Sequence, residues 1–483
     1  MKMEPVIGGL YQPLSEEQIN TIHKASLAIL EKTGIGYEPG LADIVENLER
    51  AGMEVERHSS RIRFPREKTM ELISRTPARV ILYSRDGNND LDLGEHRVHL
   101  GTGGAAIQVL DPETGEARPS TLKDIYSIGR LVNQLDNIQF FLRPCIPTDI
   151  PPSLYDVNVF YAALKATHKH VMAGVNDEKG LHDVMELAAL VASGRKELQE
   201  KPFISVITSF VISPLKLDTA VTRIMEEAVR NHIPVALSCA PMAGSTSPAT
   251  MAGTLAQIHA EQLAGISVCQ AINPGAKVLY GGIPGMANRR TMGYQGGAVE
   301  CGMMNAAIHQ LAHHIKVPNY NSSGLTDAKI PDAQAGWEKA LTTLLAAMGG
   351  SNYIHHAAGM LESMITVAYE QYVIDDEIIG MTRKVLKGIE VDAEHLALEV
   401  IDSVGPGGNF ITSPHTFRHM REEFFDGNGV TDWKNRHTWK QEGGLDARER
   451  ARKKVRDMLA VEQPEAISPD IDVQLRKRFD IRL

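Results

Sequence analysis

Apolar residues fall into short runs separated by stretches of helical period, and this alternation repeats along the chain. The runs centre near Ala106, Phe140, Val171, Val206, Val235, Leu279, Asn319 and Ile354, at intervals of 29 to 44 residues. Between them, residues 122–135, 218–231, 251–269 and 334–348 read as helices. In the third, Met251, Leu255, Ile258, Ile266 and Cys269 form an apolar stripe. Strands this far apart need crossover helices and therefore pair in parallel. Eight such units close a (β/α)8 TIM barrel, an α/β fold; an open doubly wound sheet is the structural alternative.

The two ends of the chain break the pattern. Residues 15–33 form a helix with Ile19, Ile22, Ala25, Ile29 and Leu30 on one face, and Ser15 with Gln18 makes a capping box. Strands near 61–64 and 80–83 and a helix at 66–74 follow. Residues 1–95 are thus expected to be an N-terminal α+β cap, 96–386 the barrel, and 387–483 a C-terminal helical extension. In that extension, 394–403 and the charged stretch 448–461 read as helices, and 405–410 as a loop. It is expected to cover part of the barrel or an oligomer interface.

Composition narrows the function classes. The 483 residues are 43% hydrophobic and carry a formal net charge of −10, which disfavours a nucleic-acid groove and an anionic membrane surface. The four cysteines, Cys145, Cys239, Cys269 and Cys301, include no CxxC pair and do not form a disulfide framework. The first residues lack the apolar core of a signal peptide, and no window approaches about 18 uninterrupted apolar residues. A soluble, cytoplasmic protein is expected.

Barrel chemistry sits at the C-terminal ends of the strands. Arg143, flanked by apolar residues, is read as a structural ion pair or a clamp for a substrate carboxylate. His168 and His170 precede the apolar part of their strand and are read as structural. Of His355 and His356, strand alternation sends only one inward. Cys145 and Cys239 near strand ends raise zinc, but no metal-ligand spacing accompanies them, so no bound metal is expected. GTGG at 101–104 fits a tight strand entry. The glycine-rich stretch 281–297 fits a flexible lid or a docking surface for a flat cofactor.

Three strings, GTGGAAIQVLD, NSSGLTDAKIPDAQAGWEKAL and NYIHHAAGMLES, resemble in order and spacing the trimethylamine methyltransferase (MttB) superfamily. The resemblance runs from about Ser15 to the C-terminus. It implies a TIM barrel that moves a methyl group from an amine to the cobalt of a corrinoid carried on a separate, cognate protein. Archaeal trimethylamine members carry pyrrolysine in the region corresponding to 322–327, where this chain has ordinary residues. The resemblance therefore implies a quaternary amine donor such as glycine betaine, proline betaine, carnitine or γ-butyrobetaine. It also inclines towards a homo-oligomer.

A quaternary ammonium already holds a good leaving group, and positive charge on nitrogen falls in the transition state. A carboxylate against it would favour substrate over transition state, whereas aromatic faces hold it more gently. Tyr353, Tyr320, Phe210 and Tyr280 are the aromatic candidates, with Asn321 also assigned to the substrate. His355 or His356, with Arg143 second, would take a betaine carboxylate. Gly282, Gly285, Gly296 and Gly407 are assigned to corrinoid docking. The rivals are a methyltransferase for trimethylamine or another methyl donor, and a barrel that binds betaines without turnover.

Overall fold

The computed structural model describes residues 5–483. Eight parallel strands form its centre: β1 Arg97–Thr102, β2 Phe141–Leu142, β3 Val171–Ala173, β4 Ile204–Thr208, β5 Val235–Cys239, β6 Val278–Gly282, β7 Asn319–Ser322 and β8 Tyr353–Ala358. Each pairs in parallel with the next from β2 to β8, and β8 pairs with β1. Between β1 and β2 the ring closes by single backbone hydrogen bonds. Gln139 N–H donates to Leu100 O at 2.8 Å and Thr102 N–H to Phe140 O at 3.4 Å. Below them Val6–Ile7 pairs antiparallel with the start of β1, which leaves that seam irregular.

After the strands come α1 Leu122–Asn133, α2 Tyr155–Ala166, α3 Glu178–Val191, α4 Thr219–Arg230, α5 Met251–Ile272, α6 Val299–His314, α7 Ala333–Gly349 and α8 Tyr369–Lys387. This is the (β/α)8 barrel expected from the repeat. One position is corrected. The first strand lies at 97–102, ahead of Ala106, so GTGG ends a strand instead of entering one.

Side chains fill the barrel. Phe140, Leu142, Met172, Ala236, Leu279, Tyr320 and Tyr353 cluster inside it with Val80, Leu82, Leu91 and Leu93. The last four belong to an antiparallel hairpin, Val80–Leu82 with Leu91–Leu93, that plugs the foot of the barrel. Large and small residues alternate around the ring: a Cβ on Gly101 would lie 2.4 Å from the Phe140 ring, and one on Gly281 2.5 Å from the Tyr320 ring. His170 sits at the foot, as its position before the strand implied, between Tyr83 O and Ser205 Oγ.

The helix Glu16–Lys32 starts with the expected capping box and packs on α5. Because the cap covers α5 from outside, that helix is buried on nearly all sides, while Met251 at its start is half-exposed. The C-terminal helix Ala447–Ala460 packs on α8, where Arg448 and Arg452 each reach the buried carboxylate of Glu370 at 3.1 Å. One apolar core runs from Ile22 to Leu475. Residues 389–424 stand apart from it at the foot of α8. The helix expected over 394–403 is broken at Ala397, and its pieces Ala393–Leu396 and Leu398–Val404, like Pro414–Glu423 after them, bury no residue. Among the described residues no helix is long and apolar enough to cross a membrane.

Candidate functional site

Strand β8 places its two histidines against the expected alternation. The register slips between Ile354 and Ala358, and His356 takes a left-handed φ of 65°. A bulge of this kind re-aims side chains. Both rings are therefore buried side by side, with centroids 4.0 Å apart. Gly103 makes room for them: a Cβ there would lie 2.8 Å from His356 N and 3.0 Å from His355 Nδ1.

The histidines end a column of rings. His355 lies flat on Tyr320 of β7, 4.3 Å away with planes 1° apart. Tyr320 and Tyr353 are 6.1 Å apart, and Tyr353 stacks on Phe140 at 3.7 Å. Burial, and then the neighbouring His356, holds His355 well below its ordinary range. Burial, and then the Lys339 ammonium, brings His356 down to about 3. Both rings are thus uncharged near neutral pH. His356 Nδ1 is 2.6 Å from Ser322 Oγ. Both nitrogens of His355 and the hydroxyls of Tyr320 and Tyr353 are buried with no hydrogen-bond partner. Ser238 faces the Tyr320 hydroxyl from β5 without meeting bonding geometry. Each unsatisfied polar atom costs about 1–3 kcal/mol, and four of them lie on this one column of rings, which makes it the candidate position for a ligand or ordered water.

Beneath the histidines lies an ion pair absent from the sequence expectations. Lys339 of α7 and Asp375 of α8 are fully buried, with Nζ 3.2 Å from Oδ2. Lys339 also donates to the carbonyls of Gly324 and Met360. Asp375 accepts from Gly359 N–H at 2.7 Å and from the Gln371 amide at 2.8 Å. Burial pushes the ammonium down and the carboxyl up, and each is held back by the other. One signal was available: Ala335, Thr342, Thr343 and Ala346 make the buried face of α7, and Lys339 lies on it.

Above β8 the chain makes a strained turn. Glu362, Ser363 and Met364 have φ of 50°, 50° and 82°, three successive left-handed residues without a glycine. Such residues persist only where the surroundings over-determine them. Here Glu362 N–H donates to Ala328 O, Ser363 N–H to Thr326 O, Ser363 Oγ to the Asp327 carboxylate, and Gly296 N–H to Ser363 Oγ. The turn thereby ties the loops after β6, β7 and β8 together.

Of the residues assigned from sequence, His355, His356, Tyr320 and Tyr353 come together, and the others do not join them. Phe210 and Tyr280 face outward. A Cβ on Gly265 of α5 would lie 2.5 Å from the Phe210 ring, and the Tyr280 hydroxyl is 2.9 Å from His259 Nδ1. Asn321 also points out, donating to Asn305 O and Ser351 Oγ. Arg143 follows the inward Leu142 and is directed to the Tyr155 hydroxyl at 2.9 Å. No carboxylate lies within 4.0 Å of it among the described residues, so the ion-pair reading is set aside.

The docking glycines divide as well. A Cβ on Gly282 would lie 2.7 Å from Ile308, towards α6, so it faces the helices and not the lumen. Gly285 and Gly296 are buried parts of an ordered loop: Met242–Ala243, Gly285–Ala287 and Tyr294–Gln295 form a three-stranded sheet. Gly407 is exposed in the 389–424 segment, beyond the foot of α8, and does not meet the mouth. Cys145 and Cys239 are buried, and no metal-ligating cluster among the described residues includes either.

Fold and geometry together define a (β/α)8-barrel protein with buried, uncharged histidine and tyrosine rings grouped at its strand ends. The chain belongs to the trimethylamine methyltransferase (MTTB) family, whose model matches residues 5–482. It is 35% identical over 462 residues to the trimethylamine methyltransferase MttB of Desulfitobacterium hafniense (strain DSM 10664 / DCB-2), covering 96% of this chain and 92% of that one. It is 34% identical over 472 residues to the glycine betaine methyltransferase of Desulfitobacterium hafniense (strain Y51), covering 96% of each. The crystal structure of the Methanosarcina barkeri monomethylamine methyltransferase (MtmB) shares the fold, with a TM-score of 0.54 at 13% identity, covering 94% of this chain and 90% of that one.

Replacing one member of a buried ion pair strands the other charge, at about 3–5 kcal/mol, whereas replacing both by apolar residues is often nearly neutral. Lys339→Met should therefore lower the denaturant midpoint sharply, and Lys339→Met with Asp375→Leu should recover most of the loss. Equal midpoints for the single variant and the unmodified protein would show that the pair does not hold the strand ends.

Proposed function

We propose that the protein transfers a methyl group from a betaine-type quaternary amine to the Co(I) corrinoid of a cognate partner protein, releasing a tertiary amine. The C–N bond breaks with its electron pair left on nitrogen, and the cobalt supplies the pair for the new Co–C bond. The observation that carries this reading is the group of unpartnered, uncharged polar atoms on His355, Tyr320 and Tyr353. Hydroxyl oxygens can face an ammonium without a formal negative charge, and a neutral imidazole N–H can donate to the betaine carboxylate. His355 is the favoured carboxylate partner. Arg143, turned towards Tyr155, is the second.

Near-equal identity to a trimethylamine and a glycine betaine methyltransferase leaves the donor to be decided by the site. The ordinary residues at 322–327 favour the quaternary class. Methylation of Co(I) corrinoid, followed by visible absorbance, should proceed with one betaine and not with trimethylamine. His355→Phe keeps the ring stack and removes both nitrogens. Since a hydrogen bond to a charged group is worth about 1.5–3 kcal/mol, it should lower kcat/KM for that betaine by roughly 10- to 100-fold. Silence across all amines with reduced corrinoid present would overturn the transferase reading, and unchanged kcat/KM in His355→Phe would remove the role of its nitrogens.

The corrinoid partner would dock on the rim of the mouth. Ile107, Ile212, Met292, Ile330 and Ile365, all in loops that follow strands, are exposed. Ile107 and Ile365 adjoin, joined by an Ile107 N–H to Ile365 O bond of 3.1 Å. Exposed apolar side chains on these loops support a protein partner. Ile365→Asp should raise KM for the corrinoid protein several-fold and leave KM for the amine unchanged; no change in either would exclude this face.

A second apolar surface supports a homo-oligomer. Residues 389–424 expose Ile389, Val391, Leu398, Ile401, Ile411, Phe417 and Phe424. Two copies related by a two-fold axis would cover these apolar residues. Light scattering should give at least a dimer, and Ile401→Glu with Phe417→Glu a monomer of unchanged circular dichroism. A monomeric unmodified protein would exclude the contact.

A further inference from the structure

At the foot of the barrel, on the face opposite the mouth, three histidines converge. His309 and His313 lie four residues apart on α6 and so share a helix face. His96 approaches them from the turn before β1. One ring nitrogen from each falls within 4.8 Å of the others. His96 Nδ1 and His309 Nε2 face each other at 2.9 Å.

The tautomer of His309 follows from its neighbours. Asn319 Oδ1 accepts the Asn352 N–H at 2.9 Å, which fixes the amide's orientation, and the same oxygen is 2.8 Å from His309 Nδ1. His309 Nδ1 must therefore carry the proton, and Nε2 presents a lone pair. This is the arrangement by which an oxygen outside the coordination sphere orients a metal-binding histidine.

The spacing suits a small cation. Ring centroids are 5.1 Å apart for His96 and His309, 4.4 Å for His96 and His313, and 5.8 Å for His309 and His313. Three imidazoles about one tetrahedral ion, with each nitrogen about 2.0 Å from it, have ring centres roughly 5 Å apart. Space is kept clear beside the two facing nitrogens: a Cβ on Gly350 would lie 2.8 Å from His96 Nδ1 and 3.0 Å from His309 Nε2. A cavity of about 280 Å³ lined by Glu95, His309, His313 and Asn352 adjoins and has room for water as a fourth ligand.

We propose that His96, His309 and His313 bind one first-row transition-metal ion of the zinc class. Its role is structural, pinning the entry to β1 onto the end of α6, far from the mouth. Imidazole donors suit zinc and its neighbours in that row.

The test uses the full chain, stripped with a chelator and titrated with Co²⁺ and then Zn²⁺. One equivalent of Co²⁺ should give the visible absorption of a four-coordinate ion, and Zn²⁺ should displace it. His313 is exposed, so His313→Gln should leave the fold intact while weakening affinity at least roughly tenfold. A second cluster, Glu394 with His415 and His419 on the 389–424 segment, is controlled by His419→Gln, which should leave the spectrum unchanged. Absence of a one-equivalent Co²⁺ spectrum, or a spectrum lost in His419→Gln and kept in His313→Gln, would overturn the proposal and leave His96 and His309 a hydrogen-bonded pair only. Neither readout involves methyl transfer.

Discussion

The mouth of the barrel depends on one buried interaction, the contact of Lys339 with Asp375. Neither charge reaches water, so each must be matched within the protein. The matching groups are the backbone at the ends of β7 and β8: the carbonyls of Gly324 and Met360 for the lysine, and the amide of Gly359 for the aspartate. The chain can leave these strands only along paths that satisfy the pair. That requirement fixes the exit of β8 between Gly359 and Met360, and the left-handed His356 and the strained turn at Glu362 to Met364 lie on either side of that exit. Strain of this kind costs on the order of 1–3 kcal/mol per residue, and the hydrogen bonds that Glu362 and Ser363 donate to Thr326, Asp327 and Ala328 offset it.

Strand ends held this way are buried inside and exposed at the rim. The ring column from Phe140 to His356 has no exposed member, whereas the tips of the surrounding loops are exposed and apolar. That division suits two ligands of different size. A small cation needs preorganised contacts inside, because orientation contributes most of what a displacement reaction requires. A protein that brings the methyl acceptor needs a surface that can be covered and uncovered.

The barrel was legible because its strands, buried on both faces, read as apolar runs, and its helices carry caps and a 3.6-residue period. The facing of individual residues was less legible. A strand turns alternate side chains in opposite directions, so an error of one residue exchanges lumen for helix. Tyr280 and Asn321 each adjoin lumen residues, Gly281 and Tyr320, and were assigned to the wrong face for that reason. The bulge at His356 lies beyond alternation altogether, since it arises from contacts with β1 and with Ser322 that are distant in sequence. Lys339 shows the reverse case. Its place on the apolar face of α7 was visible, but its partner Asp375 lies on the next helix and no local pattern joins them.

The neutral state of the two β8 histidines bears on the chemistry. For the proposed quaternary ammonium donor, an imidazolium at His355 would repel the substrate, and a carboxylate would hold it too well, since the charge on nitrogen disappears as the methyl leaves. Burial removes the first possibility by disfavouring the protonated ring, and Lys339 presses the same way on His356 through its charge. The second is removed by engaging the nearest buried carboxylate, Asp375, with the lysine itself. The ion pair thus serves twice: it shapes the strand ends, and it places a positive charge behind the histidines that keeps the site uncharged in front of them. For the proposed donor this leaves dipoles and aromatic groups to do the binding, and because they hold an ammonium less strongly than a carboxylate would, less stabilisation is lost as the positive charge on nitrogen falls.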